Sequence, residues 1–353
     1  MQVTRTPISA SAPGKIILFG EHAVVYGRPA MAVPVMQVRA SATVEPRAGP
    51  VEIDAADIGR RYTLRDAAPE DPIATMIERT SAQLGVEPQD FVMHIRSTIP
   101  VARGLGSGAA VSVAVGRALA KYFLPVIASG EAAKQYPSTY ETPALAVSAS
   151  VASSPQRARL LAMTPADISA LAFEVEKLHH GTPSGIDNTV IAYEQPVYFV
   201  RGEPIAAFSV ARPFRIAIAD TGVVSPTKIA VGDVRRAWEA ERDRYEALFD
   251  EIGAIVHAAR AAIERGDVEA LGPLMNANQR LAREIGVSSP EIESLIDAAL
   301  GAGARGAKLS GAGRGGNVIA LVGEENPEKL VRALMDTGAR HVIVTKVEQS
   351  PAA

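Results

Sequence analysis

The chain has 353 residues, enough for two domains with sizeable cores, and 47% of them are hydrophobic, as in a soluble globular protein. Its 36 basic and 39 acidic residues leave a formal charge of −3 with no Lys/Arg cluster, which argues against nucleic acid as a partner but not against a small anionic substrate. The absence of cysteine excludes disulfides, thiolate zinc sites and cysteine nucleophiles.

Residues 1–12 lack the charged start and apolar core of a signal peptide. No apolar run reaches the ~18 residues of a membrane span, so a cytoplasmic protein with no membrane partner is expected. Val- and Ile-rich stretches at 8–19 and 30–44 predict strands, with a shorter one at 61–65. Residues 72–84 place Ile73, Met76, Ile77 and Leu84 on one helical face. The alternating run 91–99 predicts a strand that leads into a glycine loop, and 107–123 predicts a buried helix of small residues. Residues 124–163 are broken by Pro125, Pro137, Pro143 and Pro155 and predict an insertion with short helices near 131–135 and 155–161.

Thr164-Pro165-Ala166-Asp167 is a helix start, and that helix is expected to run to about residue 179. A second short helix is expected from Ile186, then strands at 196–200 and 214–219. Gly, Pro and Arg gather at 202–213, where a domain boundary is expected. Beyond it, helices are predicted at 231–265 with a break near Gly253, at 268–284 and at 289–301. A strand–turn–strand unit at 307–322, a helix at 327–337 and a strand at 341–347 complete an α+β pattern of split βαβ type.

Four segments carry candidate chemistry. In Arg103-Gly104-Leu105-Gly106-Ser107-Gly108-Ala109, the glycines allow sharp turning, and the following helix points its unpaired N–H groups back at the loop. That is either a phosphate seat or a tight turn. Lys15, among apolar strand residues after Pro13-Gly14, needs a carboxylate or phosphate partner if buried. Glu21 and His22 follow at the strand's end, and His22 faces either water or a substrate. Asp187, after a Gly-Thr-Pro-Ser-Gly turn, is a helix cap, a general base or an anchor for a substrate hydroxyl. Glu176, eleven residues earlier, is a solvated helix residue or one of two acids inviting Mg²⁺. The last segment, Lys308 to Asn317, holds four glycines in the six positions 311–316. A hairpin needs fewer, so close approach of backbone to a ligand is expected there.

Three of these segments, in this order, resemble the three motifs of the GHMP kinases. Gly20-Glu21-His22-Ala23-Val24 and Gly181-Thr182-Pro183-Ser184-Gly185-Ile186-Asp187 resemble its mevalonate kinase branch. The resemblance covers most of the chain except 124–163. It implies a mixed α/β domain over 1–205, a ferredoxin-like α/β sandwich over 206–353 and an active site between them. It implies an ATP-dependent, Mg²⁺-assisted kinase acting on mevalonate, in a homodimer, with a phosphomevalonate kinase, a related decarboxylase or a silent ligand sensor as rivals. By position, Asp187 matches the catalytic aspartate, Lys15 its lysine partner, and Glu176 the metal-binding glutamate. Glu21, His22 and Thr227 match the acceptor side, Arg103 to Ala109 the ATP-phosphate loop, and Gly311, Ala312 and Gly313 the third motif. The family loop reads Gly-Leu-Gly-Ser-Ser, and its second serine is often a metal ligand. Gly108 stands there instead, so either Ser107 or a water takes that place.

Overall fold

The computed structural model describes residues 6–101, 103–129, 163–180, 183–204, 206–224, 227–323 and 327–349. Strand β1 (Ile8–Phe19) lies antiparallel beside the long β2 (Ala30–Pro46), the spine of a seven-stranded sheet. On one side follow β5 (Phe91–Ser97), β3 (Glu52–Ala55) and β4 (Arg60–Thr63), and on the other β6 (Val197–Phe199) and β7 (Ala206–Ala207). Only β3 and β5 run parallel. The β1–β2 register shifts between Pro13 and Gly14, a bulge just before Lys15.

Helices α1 (Pro72–Leu84), α2 (Ser107–Ser129), α3 (Pro165–His180) and α4 (Ile186–Tyr193) form a layer on this sheet, with α2 touching β1, β2, α1, α3 and α4. The small residues of α2 are there for close packing. A Cβ at Gly116 would lie 2.5 Å from Met76 Cε and 3.5 Å from Ile168 Cγ2, so α1 and α3 both close onto it. The α2 helix continues past the expected end at 123, through Pro125. The hydrogen bond that proline removes falls at Lys121, and both residues are exposed, where water can take it. Residues 130–162, and with them the short helices expected near 131–135 and 155–161, lie outside the described residues. The α3 start is as expected: Thr164 Oγ1 accepts from Asp167 N at 3.2 Å, and Asp167 Oδ2 accepts from Thr164 N at 2.8 Å.

The chain leaves the first sheet after Ala207 and enters a second at β8 (Phe214–Asp220). With β9 (Gly306–Ser310), β10 (Asn317–Leu321) and β11 (His341–Val347), the order is β11-β8-β10-β9, all antiparallel. Fourth, first, third, second is the ferredoxin-like order, as expected. Helices α7 (Leu271–Glu284), α8 (Pro290–Gly301) and α9 (Pro327–Asp336) pack on this sheet.

After β8 come α5 (Thr227–Ala240) and α6 (Arg242–Arg265), α5 packing on α6 and α6 on β1, β2 and α7; the break lies at Glu241, not near Gly253. Gly253 sits inside α6, where a Cβ would lie 3.3 Å from Arg28 Cγ and 3.6 Å from Pro29 Cδ. The glycine admits the segment between β1 and β2 and does not end the helix. One apolar cluster joins Ile16, Met31 and Tyr198 of the first sheet to Ile216, Ile319 and Val256 of the second half, so the sheets share a core. Among the described residues no helix is long and apolar enough to cross a membrane.

Candidate active site

The β1 bulge, the 103–109 loop and the start of α4 meet at one point. Lys15 Nζ lies 2.9 Å from Asp187 Oδ1, with the lysine 4% exposed and the aspartate 28%. Each partner is held by its backbone. Lys15 N donates to Leu105 O at 3.0 Å, which stitches the glycine loop to β1 at the lysine itself. Gly14 permits this, since a Cβ there would stand 3.2 Å from Leu105 O. Asp187 is in the first turn of α4, whose cap is the left-handed Gly185, pressed against Phe173 and Phe199. Asn188 Nδ2 donates to Ser169 Oγ at 2.8 Å and to Ser169 O at 3.1 Å, fixing α4 to α3.

The loop turns through Gly104 at φ +74° and Gly106 at φ +72°. A Cβ at Gly106 would meet Ile191 Cδ1 at 2.9 Å and Lys15 Cγ at 3.0 Å. The α2 helix begins at Ser107, and its first N–H groups have no partner within the helix. Leu105 and Ala109 bury their side chains in the core, so only their backbones can serve a ligand. Gly108 is exposed, and a Cβ there would lie 3.7 Å from Glu176 Oε1. Burial, then the neighbouring Asp187 charge, raises the Glu176 carboxyl to about 8 against the opposing pull of Lys15. Glu176 is half-buried rather than fully solvated.

The other expected residues are held by the second sheet. Glu21 is buried and ion-paired with Lys308. His22 Nε2 donates to Ala312 O at 2.9 Å, because a carbonyl only accepts, so Nδ1 is left as an acceptor. Burial lowers the imidazole to about 4, so it is neutral. Ser310 Oγ donates to Ile17 O at 2.8 Å. Arg103 turns its guanidinium to Asp220 Oδ1 at 3.4 Å, and its carbonyl accepts from Asn317 Nδ2. Thr227 opens α5 and is exposed; among the described residues no hydrogen bond joins it to the Lys15–Asp187 pair.

In the third glycine segment, two of the glycines have protein backbone against them. A Cβ at Gly313 would collide with the carbonyl of Val287, and one at Gly315 would come within 2.7 Å of Val223 O. Gly313 and Gly315 admit neighbouring protein backbone, whereas nothing lies within 4 Å of a Cβ placed on Gly311. Lys308, Asn317 and Asp220 are the residues that sequence reasoning passed over. Lys308 carried a usable signal, a lysine within an apolar strand, the same one that singled out Lys15.

The chain as a whole is similar to known proteins. The GHMP kinases N terminal domain model matches residues 72–136 and the GHMP kinases C terminal model residues 259–340. A mevalonate kinase of Thermococcus sibiricus is 32% identical, covering 97% of this chain and 96% of the relative. The chain belongs to the GHMP kinase family. It is mevalonate kinase-like within that family and, as a GHMP kinase, ATP-dependent. A mevalonate kinase of Aeropyrum pernix is 30% identical over 98% of both chains. The structure of Leishmania major mevalonate kinase in complex with R-mevalonate superposes with a TM-score of 0.77 at 27% identity, covering 99% of each chain.

Proposed function

We propose that this kinase transfers the γ-phosphoryl group of ATP to the primary hydroxyl of (R)-mevalonate, giving 5-phosphomevalonate and ADP. The 2.9 Å Lys15–Asp187 pair beside the glycine loop carries the reading, and the mevalonate kinases at 30% and 32% identity support the acceptor. Phosphoryl transfer asks a protein mainly for positioning and charge neutralisation. Asp187 accepts or orients the proton of the acceptor hydroxyl. Lys15 holds that carboxylate in place and lowers the cost of negative charge on the attacking oxygen. The backbone N–H groups from Gly106 onward seat the nucleotide phosphates.

The residues present fit Mg²⁺. Glu176 offers a hard oxygen beside the exposed Gly108, burial and then the neighbouring Asp187 charge leave its carboxylate in need of a cation, and Ser107 adds a hydroxyl at the helix start. Among the described residues no three acidic or histidine side chains form a complete cage, which suits an ion that keeps waters and phosphate oxygens as ligands. When bound, the ion neutralises phosphate charge. Cytoplasmic location and a homodimeric assembly belong to the same reading. An ADP-release assay across mevalonate, phosphomevalonate, homoserine and galactose tests it: turnover is expected with mevalonate, and preference for another acceptor overturns it.

A further inference from the structure

Lys308, on β9, is 0% exposed. Its ammonium donates to Glu21 Oε1 and, at 2.6 Å, to Leu309 O, and it stands 5.9 Å from the centre of the Phe19 ring. The carboxylate that faces this enclosed ammonium comes from the far end of the chain. Burial pulls the lysine's proton affinity down and the Glu21 carboxylate pulls it back.

The glutamate is only half satisfied. Glu21 Oε2 is buried and has no hydrogen-bond partner. Such an oxygen is costly unless something else supplies a donor. Nor is Glu21 free to turn away. Gly20 before it, at φ +96°, has Pro29 and Ala30 packed where a side chain would be. His22 after it, a non-glycine residue at φ +60°, is tied to Ala312 O. The backbone is fixed on both sides, so the direction of the free oxygen is set by where Lys308 grips the other one.

We propose that Lys308 is a positioning residue for the phosphoryl acceptor: it grips Glu21 Oε1 in a buried setting and aims Oε2 at a hydroxyl donor of the bound acceptor. A carboxylate oxygen attracts a hydroxyl and repels an acceptor's own carboxylate, so the pair sets which end of a hydroxy acid faces Glu21. This rests on the acceptor-side place of Glu21 in the reading above.

The test compares Lys308→Met, Glu21→Gln and the double variant with the wild-type chain, by denaturant unfolding and by separate KM values for acceptor and ATP. Lys308→Met should raise the acceptor KM tenfold or more with the ATP KM within about twofold, and should unfold earlier, since it strands a buried charge. The double variant removes that charge, so it should recover the unfolding midpoint while keeping the raised acceptor KM. It also keeps the question open to measurement if Lys308→Met does not fold. Recovery of both midpoint and acceptor KM in the double variant would make the pair merely structural and overturn the proposal. So would equal rises in both KM values. If the wild-type chain turns over a different acceptor, the mevalonate reading fails, and the same comparison made with that acceptor still decides the role of Lys308.

Discussion

Replacing Gly106 by alanine tests whether the glycine loop sets the position of Lys15. Two costs add. At φ +72° a non-glycine residue gives up roughly 1–2 kcal/mol. The new methyl would then stand 2.9 Å from Ile191 Cδ1, 3.0 Å from Lys15 Cγ and 3.3 Å from Lys15 Cε. Overpacking of that kind costs about 1–3 kcal/mol, for a total of about 2–5 kcal/mol. Gly27→Ala is the control: its φ is +83° and nothing lies within 4 Å of the added carbon, so it should lose the backbone part alone. The excess in Gly106→Ala falls on the lysine stem, whose ammonium sits 2.9 Å from Asp187. Displacing a reacting group by about 1 Å can cost about 10²-fold in rate, and a loss of that order in kcat is expected. Urea unfolding and ADP release at saturating substrates read the two effects separately. A Gly106→Ala enzyme with near-normal kcat, or one destabilised no more than Gly27→Ala, would refute the coupling.

Asp187→Asn should lower kcat by about 10²- to 10⁴-fold, roughly 3–5 kcal/mol of barrier, with little change in the ATP KM. Lys15→Met should do comparable damage, and the double variant should be little worse than the poorer single one, because the two act as a unit; multiplicative losses would show that they do not. Glu176 makes stability depend on pH. The unfolded chain loses that proton near 4.5 and the folded one holds it to about 8. The stabilisation is therefore full below the lower value, shrinks by about 1.4 kcal/mol per pH unit between them and is gone above the upper one. Glu176→Gln cannot titrate, so its unfolding free energy should fall less steeply from about pH 5 to about pH 8. Parallel curves for the two proteins would show that burial of Glu176 has been overstated.

Much of the first sheet and of the Lys15–Asp187 pair was legible because each rests on local signals. Strand β1 spans 8–19 as its Val/Ile pattern predicts, and α4 begins at Ile186 after its glycine turn. Lys15 declared itself by sitting in an apolar strand, and the structure supplies the partner that burial required. What escaped was long-range. Nothing local says that Gly253 makes room for Pro29, or that the glycines at 313 and 315 face Val287 and Val223. Glycine reports that a backbone passes close by; it does not report what the backbone passes. Lys308 escaped for the opposite reason. The signal was present, but its partner, Glu21, lies 287 residues away and had been given to the substrate.

The third segment bears on how the site is held together. Two of its glycines pack on protein, and its other residues hold neighbours of the candidate site: Ala312 O accepts the hydrogen bond of His22 Nε2, and Asn317 Nδ2 donates to the carbonyl of Arg103 at the head of the glycine loop. The Arg103 guanidinium, the one cation in that loop, is engaged by Asp220 at the end of β8. Both β8 and β10 belong to the second sheet, whereas Lys15 and Asp187 belong to the first layer. The phosphate loop is thus gripped from one side by Lys15 N on Leu105 O and from the other by Asn317 and Asp220. A loop of glycines has little stiffness of its own, so its precision has to come from these two anchors. The shared apolar core between the sheets keeps the anchors in register, so packing far from the Lys15–Asp187 pair helps to fix the loop beside it.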